Sequence, residues 1–355
     1  MERGSNKHNK DRISDLPDCL LHHILSFSNP KQAVQTCILS KRWKNIWRTL
    51  PTLTLTSSHF TTLMAFTKFY SNILSLRDAS APLHVLDFHR KGTMEPHLLK
   101  MILKYAFSHN VQRLKVDTLS NIQQFPPSFF SCNTLTSLNL NLCVNYNNGK
   151  TLFPNSLNFP TLINLSLQNF IFGVKRDGHV DPFSSLTKLN SLVIYDCIVP
   201  YQKNLFISSF TLADLRIGNY CPCPGLKFSL STPSLYKFAF WGSPLQKLCR
   251  SSMNNLSSVK HATIYADQYS KSQNTPLVLL NWLVELANIE SLTVCLRTLE
   301  VLSLVPDLLK VEFPSLYSLK SLKIKPSLSS YIPEEEVMNF LLQNAPSVKV
   351  DMEPY

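Results

Sequence analysis

Leu189-Asn190-Ser191-Leu192-Val193-Ile194-Tyr195-Asp196-Cys197-Ile198-Val199 is the stretch whose reading decides the fold. Its apolar residues fall at Leu189, Leu192 and Ile194, then at Cys197 and Val199. In an extended chain alternate side chains share a face. Leu192 and Ile194 therefore point one way, and Ser191, Val193 and Tyr195 the other. Leu189 fills the turn leading in. One such unit is too small to bury its apolar face alone, so it needs copies stacked beside it.

Those copies are present on both sides. Leu135/Leu138/Leu140 and Leu162/Leu165/Leu167 precede the stretch. Leu212/Leu215/Ile217, Leu235/Phe238/Phe240, Ile289/Leu292/Val294 and Leu319/Leu322/Ile324 follow it. Weaker copies begin at Leu50, Leu83, Val111, Val259 and Ala345. From Leu83 to Leu319 the steps run from 23 to 30 residues, within or next to the leucine-rich-repeat period. Cys143 and Cys197 take the ladder slot after their strands and read as buried, not reactive. Glu95 to His109, with Leu98, Leu99, Ile102, Leu103 and Ala106 at helical spacing, predicts a connecting helix. Thr275-Pro276 opens a second over Leu277 to Ala287. Pro333 opens a third over Glu334 to Gln343, its acids favoured by the helix dipole. Asn219 to Lys227 holds too many prolines for a helix. The expectation is an α/β chain: a curved parallel sheet with helices and loops outside.

Composition agrees with this reading. The chain has 355 residues, 44% of them hydrophobic and 16% charged, and eight glycines. A disordered chain and a Gly-rich linker are both excluded. The net charge is +12, spread along the body, while residues 327–355 are acidic. Such a surface favours acidic partners, whether protein, phosphate or nucleic acid. No nucleic-acid motif accompanies it, which leaves that the weaker reading; it predicts steep salt dependence. The polar start and the absence of a long apolar run predict a soluble chain without a membrane span. Nine scattered cysteines suit reduced thiols in the nucleus or cytoplasm.

Asp11 to Pro51 breaks the repeat. Leu16-Pro17-Asp18 reads as a helix start, followed by an apolar stripe of Leu20, Leu21, Ile24 and Leu25. Asn29 is placed to cap a second helix from Pro30, with Ala33, Val34, Cys37 and Ile38 inward. Ser40 is placed to cap a third, carrying Trp43, Ile46, Trp47 and Leu50. Three helices in about forty residues lie near the lower limit of independent stability. The unit needs the repeats, or a partner over Leu16, Leu20 and Leu25.

Asp11-Arg12-Ile13-Ser14-Asp15-Leu16-Pro17-Asp18-Cys19-Leu20-Leu21, then Ile24-Leu25-Ser26-Phe27, resemble the opening of a plant-type F-box. Ala33 through Leu39-Ser40-Lys41-Arg42-Trp43 to Trp47 resembles its remainder. Cys19 departs from the family's usual acid, and Ser28 from its usual apolar residue. Ile332-Pro333 through Pro346 to Met352 is similar to an FBD-type tail. The chain thus resembles F-box/leucine-rich-repeat proteins: a tail at 1–10, an F-box at 11–51, a connecting segment and first capping repeat at 52–82, repeats at 83–325 and an FBD-like cap at 326–355. The resemblance implies a non-catalytic subunit of a ubiquitin ligase, without cofactor. Its F-box would bind a Skp-family adaptor, and through it a cullin, while the repeats recruit a protein substrate. It puts Leu16, Pro17, Leu20, Ile24, Leu25, Val34, Cys37, Ser40, Arg42 and Trp43 in or near the adaptor interface. Trp47 either joins them or packs on the first repeat. A repeat scaffold without ligase function is the alternative.

Strand alternation proposes the recognition surface. Tyr195, Arg216, Lys237, Trp241, His261 and Tyr265 fall on one face and mix cations with aromatic rings. They suit an acidic or phosphorylated protein segment. Catalytic motifs are missing. Gly149-Lys150-Thr151 lacks the earlier glycine of a phosphate loop, since Val144 stands there, and His179 follows Gly178 where lysine is required. Cys221-Pro222-Cys223-Pro224 has no second pair at zinc spacing. His22-His23 reads as a solvated helix edge, and His84 and His89 have only Asp87 nearby.

Overall fold

The computed structural model describes residues 13–28, 30–144, 149–154, 158–173, 180–200, 203–219, 226–249, 256–267, 274–311, 316–326 and 335–353. The tail at 1–10, the Asn29 cap, Gly178-His179, the Cys221/Cys223 loop and the Pro333 helix start lie outside these residues. The chain divides into two compact units. One runs to Leu119 and takes in Gln124–Phe129; the other holds Ser120–Gln123 and the chain from Phe130.

The first unit opens with α1 (Asp18–Ser26), α2 (Pro30–Gln35) and α3 (Trp43–Ile46). It continues as β1 (Thr52–Thr56), α4 (Leu63–Leu76), β2 (Val85–Thr93), α5 (Pro96–Ser108) and β3 (Arg113–Leu119). Pro17 stands just before α1, where its missing N–H costs nothing, and its carbonyl accepts from the Leu20 and Leu21 N–H groups. The expected third helix is shorter than its sequence promised. It stops at Ile46, passes into a 3-10 turn over Trp47–Thr49, and leaves Leu50 extended at φ −57°, ψ 125°. Pro51 explains the stop, because the residue before a proline is pushed out of helical geometry. Ser40 does not cap it: Arg42 holds the cap position, and no side chain bonds there.

β1, β2 and β3 run parallel, pairing Leu53 with Leu86 and Leu86 with Leu114. Their inward residues and the apolar faces of α4 and α5 are buried. Each such aliphatic side chain contributes about 1.5–3 kcal/mol. The helix α4 is unforeseen in a segment expected to connect head and repeats. Thr62 caps it by accepting from Ala65 N–H at 3.2 Å, and Phe66, Tyr70, Ile73 and Leu74 form its inward stripe.

In the second unit each repeat supplies one long strand. These are β4 (Ser137–Cys143), β6 (Asn164–Gln168), β8 (Ser191–Tyr195), β10 (Asp214–Gly218), β12 (Lys237–Gly242), β13 (His261–Ala266), β14 (Ser291–Cys295), β15 (Ser321–Lys325) and β16 (Lys349–Met352). They are hydrogen-bonded in that order, each parallel to its neighbours. Short strands form two further pairs, β5 (Thr151–Phe153) with β7 (Phe170–Phe172) and β9 (Leu205–Ser208) with β11 (Phe228–Ser231). The register carries Leu165, Leu192, Leu215, Phe238, Ala262, Leu292 and Leu322 in one buried row. The leading residues Leu135, Leu162, Leu189, Leu212, Leu235, Val259, Ile289 and Leu319 are each at most 1% exposed. The repeat reading therefore holds, and the fold is a leucine-rich-repeat solenoid of mixed α/β class. Cys197 is buried, and burial pushes its thiol up to about 12. Cys143 is half-buried and accepts from Asn169 Nδ2 at 3.1 Å.

The helices α6 (Thr275–Glu285), α7 (Leu296–Ser303) and α8 (Glu335–Asn344) flank the later strands. The helix α7 was not expected. Its run begins directly after β14, so the strand pattern masks the change of period. In the C-terminal edge strand, β16, the repeat pattern fails to bury its apolar residues: Val350 is 40% and Met352 54% exposed.

Candidate functional site

Two surfaces carry the candidate residues, one in each unit. In the head, the segment before α1 is tied to the start of α3. Arg42 Nη2 donates to Asp18 Oδ1 at 2.6 Å, and Arg42 Nη1 donates to the Ser14 carbonyl. Trp43 Nε1 donates to Ser14 Oγ at 3.1 Å, and the Ser14 and Ser40 hydroxyls lie 3.1 Å apart. The Ser40-Lys41-Arg42-Trp43 stretch is thus a clamp on the Leu16-Pro17 entry. His22, read as solvated, is half-buried and bonds Thr49 Oγ1 at 2.9 Å.

Burial sorts the candidates in this head. Pro17, Leu20, Ile24 and Arg42 are exposed, and Leu16, Val34, Cys37 and Ser40 are half-buried. Leu25, Trp43 and Trp47 are buried at 2%, 4% and 9% exposure, so they pack inside this unit, one of the two places expected for Trp47. The reason is geometric for α1: Leu21 and Leu25, four residues apart, share its inner edge. A correction concerns Ile38, expected inward and in fact 85% exposed. The chain after α2 turns as a 3-10 helix over Thr36–Ile38, which rotates Ile38 outward. Leu39, Phe27 and Ile13 are exposed as well. Together with Leu20 and Ile24 they are apolar side chains that the head leaves uncovered. The Leu20, Ile24, Phe27 spacing is a helical stripe legible in sequence. The Ile38-Leu39 pair has no periodic signal.

On the repeats, the register sets three of the predicted residues in one row. Tyr195 pairs with Gly218, Gly218 with Trp241, and Trp241 with Tyr265. The Tyr195 and Trp241 ring centroids are 5.9 Å apart, and those of Trp241 and Tyr265 5.8 Å. Gly218 is the residue that allows this, since a Cβ there would stand 2.4 Å from the Tyr195 ring. Burial first, with Cys295 and Glu353 charge adding, holds the Tyr265 phenol above its ordinary value.

The cations do not join this row. Arg216 is held by Asp214 at 2.9 Å, and that hydrogen bond raises its pKa further. His261 bonds the Tyr236 hydroxyl at 3.1 Å and packs on its ring. Lys237 is exposed at the first strand position, beside His261 in register. Farther along, Glu353 takes both Lys323, at 2.6 Å, and Lys325, at 3.6 Å. Sequence reading missed Gly218 and these carboxylate partners. Elsewhere His89 pairs with Asp117 at 2.9 Å on the neighbouring strand, not with Asp87, and Lys150 donates to the Asp196 carbonyl. Among the described residues no group of three His, Cys, Asp or Glu is placed to hold a metal, and no helix is long and apolar enough to cross a membrane.

Comparison with known proteins gives these surfaces a family. Residues 13–55 match the F-box domain, so the chain is an F-box protein. An F-box/LRR-repeat protein of Arabidopsis thaliana is 30% identical over 365 residues, covering 96% of this chain and 71% of that one. Another from the same plant is 29% identical over 319 residues, 84% of this chain and 94% of that one. An FBD-associated F-box protein of Arabidopsis thaliana is 32% identical over 180 residues, 49% of this chain and 37% of that one. The chain belongs to the plant F-box/LRR-repeat family.

Proposed function

We propose that this protein is the substrate-recognition subunit of a Skp–cullin–F-box ubiquitin ligase in the nucleus or cytoplasm. The head docks a Skp-family adaptor through Leu20, Ile24, Ile38 and Leu39, with Leu16, Pro17, Val34 and Cys37 at the margin. The observation that carries this reading is the exposed apolar set on so small a head: Ile38 is 85% and Leu39 63% exposed. Solvated monomers keep such clusters small, and larger ones mark interfaces. The repeat face recruits the substrate. Its function is tethering, which raises the effective concentration of substrate lysines near the ubiquitin donor without chemistry of its own. Because Arg216 is neutralised by Asp214, the aromatic row Tyr195, Trp241, Tyr265 supplies the contact area. Lys237 is the cation left to meet an acidic or phosphorylated residue.

The test is capture of a purified Skp-family adaptor by the full chain. Leu20→Asp with Ile24→Asp should abolish capture while the circular dichroism spectrum is kept. Undiminished capture by that folded variant would refute the assignment of this face.

A further inference from the structure

The strand β16 pairs with β15 on one side, and among the described residues no strand lies on the other. Val350 is in register with Leu322, and Met352 with Ile324. Those two are 0% and 2% exposed, whereas Val350 and Met352 are 40% and 54% exposed. The buried row of the sheet therefore ends open at β16. Its backbone is open as well. Lys349 and Glu353 turn their N–H groups toward β15, donating to the Lys320 and Ile324 carbonyls at 2.9 and 3.0 Å. Peptide directions alternate along a strand, so the N–H and carbonyl groups of Val350 and Met352 face the free edge. An exposed apolar edge with unpaired peptide groups is a template for another strand.

Charge decides which strand fits. Lys349 and Asp351 alternate with the apolar residues and share the other face of β16. Lys349 is exposed and forms no ion pair among the described residues. Asp351 lies 3.9 Å from Lys323, with its side chain 67% exposed and open to a second cation. Set antiparallel about a two-fold axis through Val350, two copies of β16 place each Lys349 opposite Asp351 of the partner subunit. Each Val350 then faces its own copy, and the free peptide groups of both strands point at each other. Like charges directly opposite destabilise a strand pair. Moving the axis to Lys349 opposes ammonium to ammonium. Moving it to Asp351 opposes carboxylate to carboxylate, and offers Lys349 only Glu353, which Lys323 and Lys325 already hold. The edge is thus complementary to itself about Val350, and such an isologous contact closes as a pair.

We propose that β16 is a self-association surface, pairing antiparallel with β16 of a second copy of this chain about Val350. The surface is separate from adaptor capture and is tested without the adaptor. Light scattering on the purified full chain at about 100 μM, well above the Kd of a micromolar contact, should give the mass of two chains. Amide exchange of Val350 and Met352 should slow as the concentration is raised to that level, while the amides of β10 keep their rates. Lys349→Asp and Asp351→Lys each set like charges opposite and should weaken the dimer about tenfold or more. Mixed one to one, the two variants again face opposite charges and should recover a heterodimer, which separates lost pairing from lost folding. The exchange readout needs no variant and decides the matter even where a variant fails to fold. A single-chain mass at the higher concentration would overturn the proposal. So would a dimer in which Val350 and Met352 exchange as fast as in the monomer, or folded variants that dimerise undiminished alone.

Discussion

Leu20 and Leu21 are neighbours with opposite surroundings: 46% and 0% exposed. A helix turns about 100° per residue, so adjacent side chains leave on different faces. Two outcomes separate them. Leu21→Ala should cost about 2–5 kcal/mol and lower the melting temperature of the full chain. Leu20→Asp should change stability by only about 0.5 kcal/mol and be seen instead as lost adaptor capture. Cysteines divide in the same way. Cys19 is exposed, whereas burial pushes the Cys197 and Cys249 thiols up to about 12. At pH 8, mass spectrometry after maleimide treatment should find Cys19 modified, and Cys197 and Cys249 untouched until denaturant is added. At this scale the sequence showed which residues were apolar. The side each one faced was legible in α1 from its period and illegible at Ile38, where a 3-10 turn replaces it.

The strands show what a shared register adds. Gly218 is one of eight glycines, and its alignment between Tyr195 and Trp241 makes it a spacer for two rings. Gly218→Ala should displace the Tyr195 ring and cost about 1–3 kcal/mol, with loss of near-ultraviolet dichroism. The edge strand β16 has a different dependence. Its four residues are exposed, and Lys323 of β15 holds Glu353 just beyond it. The hydrogen bond from Lys323 and the nearby Lys325 hold the Glu353 carboxyl below its ordinary range, and Glu353 holds the Lys323 ammonium above its own. A depressed carboxylate stabilises the fold above its unfolded pKa, and this is lost as pH falls through the folded value. A raised lysine stabilises below its unfolded pKa and loses this as pH rises through the folded one. Amide exchange of β16 should therefore be slowest between the two ranges and quicken below the carboxylate range, relative to an internal strand such as β10. Exchange ratios independent of pH would contradict this. The later helices were foreseeable where proline opened them; α7 was hidden by the strand it follows.

In the second unit each strand touches its two neighbours, so coupling decays along the stack. Leu292→Ala in β14 should cost about 2–5 kcal/mol locally. Hydrogen exchange should rise in β13 and β15 and stay near its original rate in β4 and β6. A uniform rise would show a single cooperative block instead. Repeat period, inward residues and F-box resemblance all followed from sequence alone, because spacing of apolar residues obeys the fixed geometry of strand and helix. Which cations are already neutralised, which indoles are internal, and that Arg77 bonds the Tyr105 hydroxyl and the Leu50 carbonyl depended on tertiary structure. Those facts turn on pairs such as Arg216 with Asp214 and on residues far apart in the chain, Arg77 with Leu50 and Tyr105. A periodic pattern states that a side chain points inward or outward; what it meets there is set by the neighbouring strands and helices that pack against it.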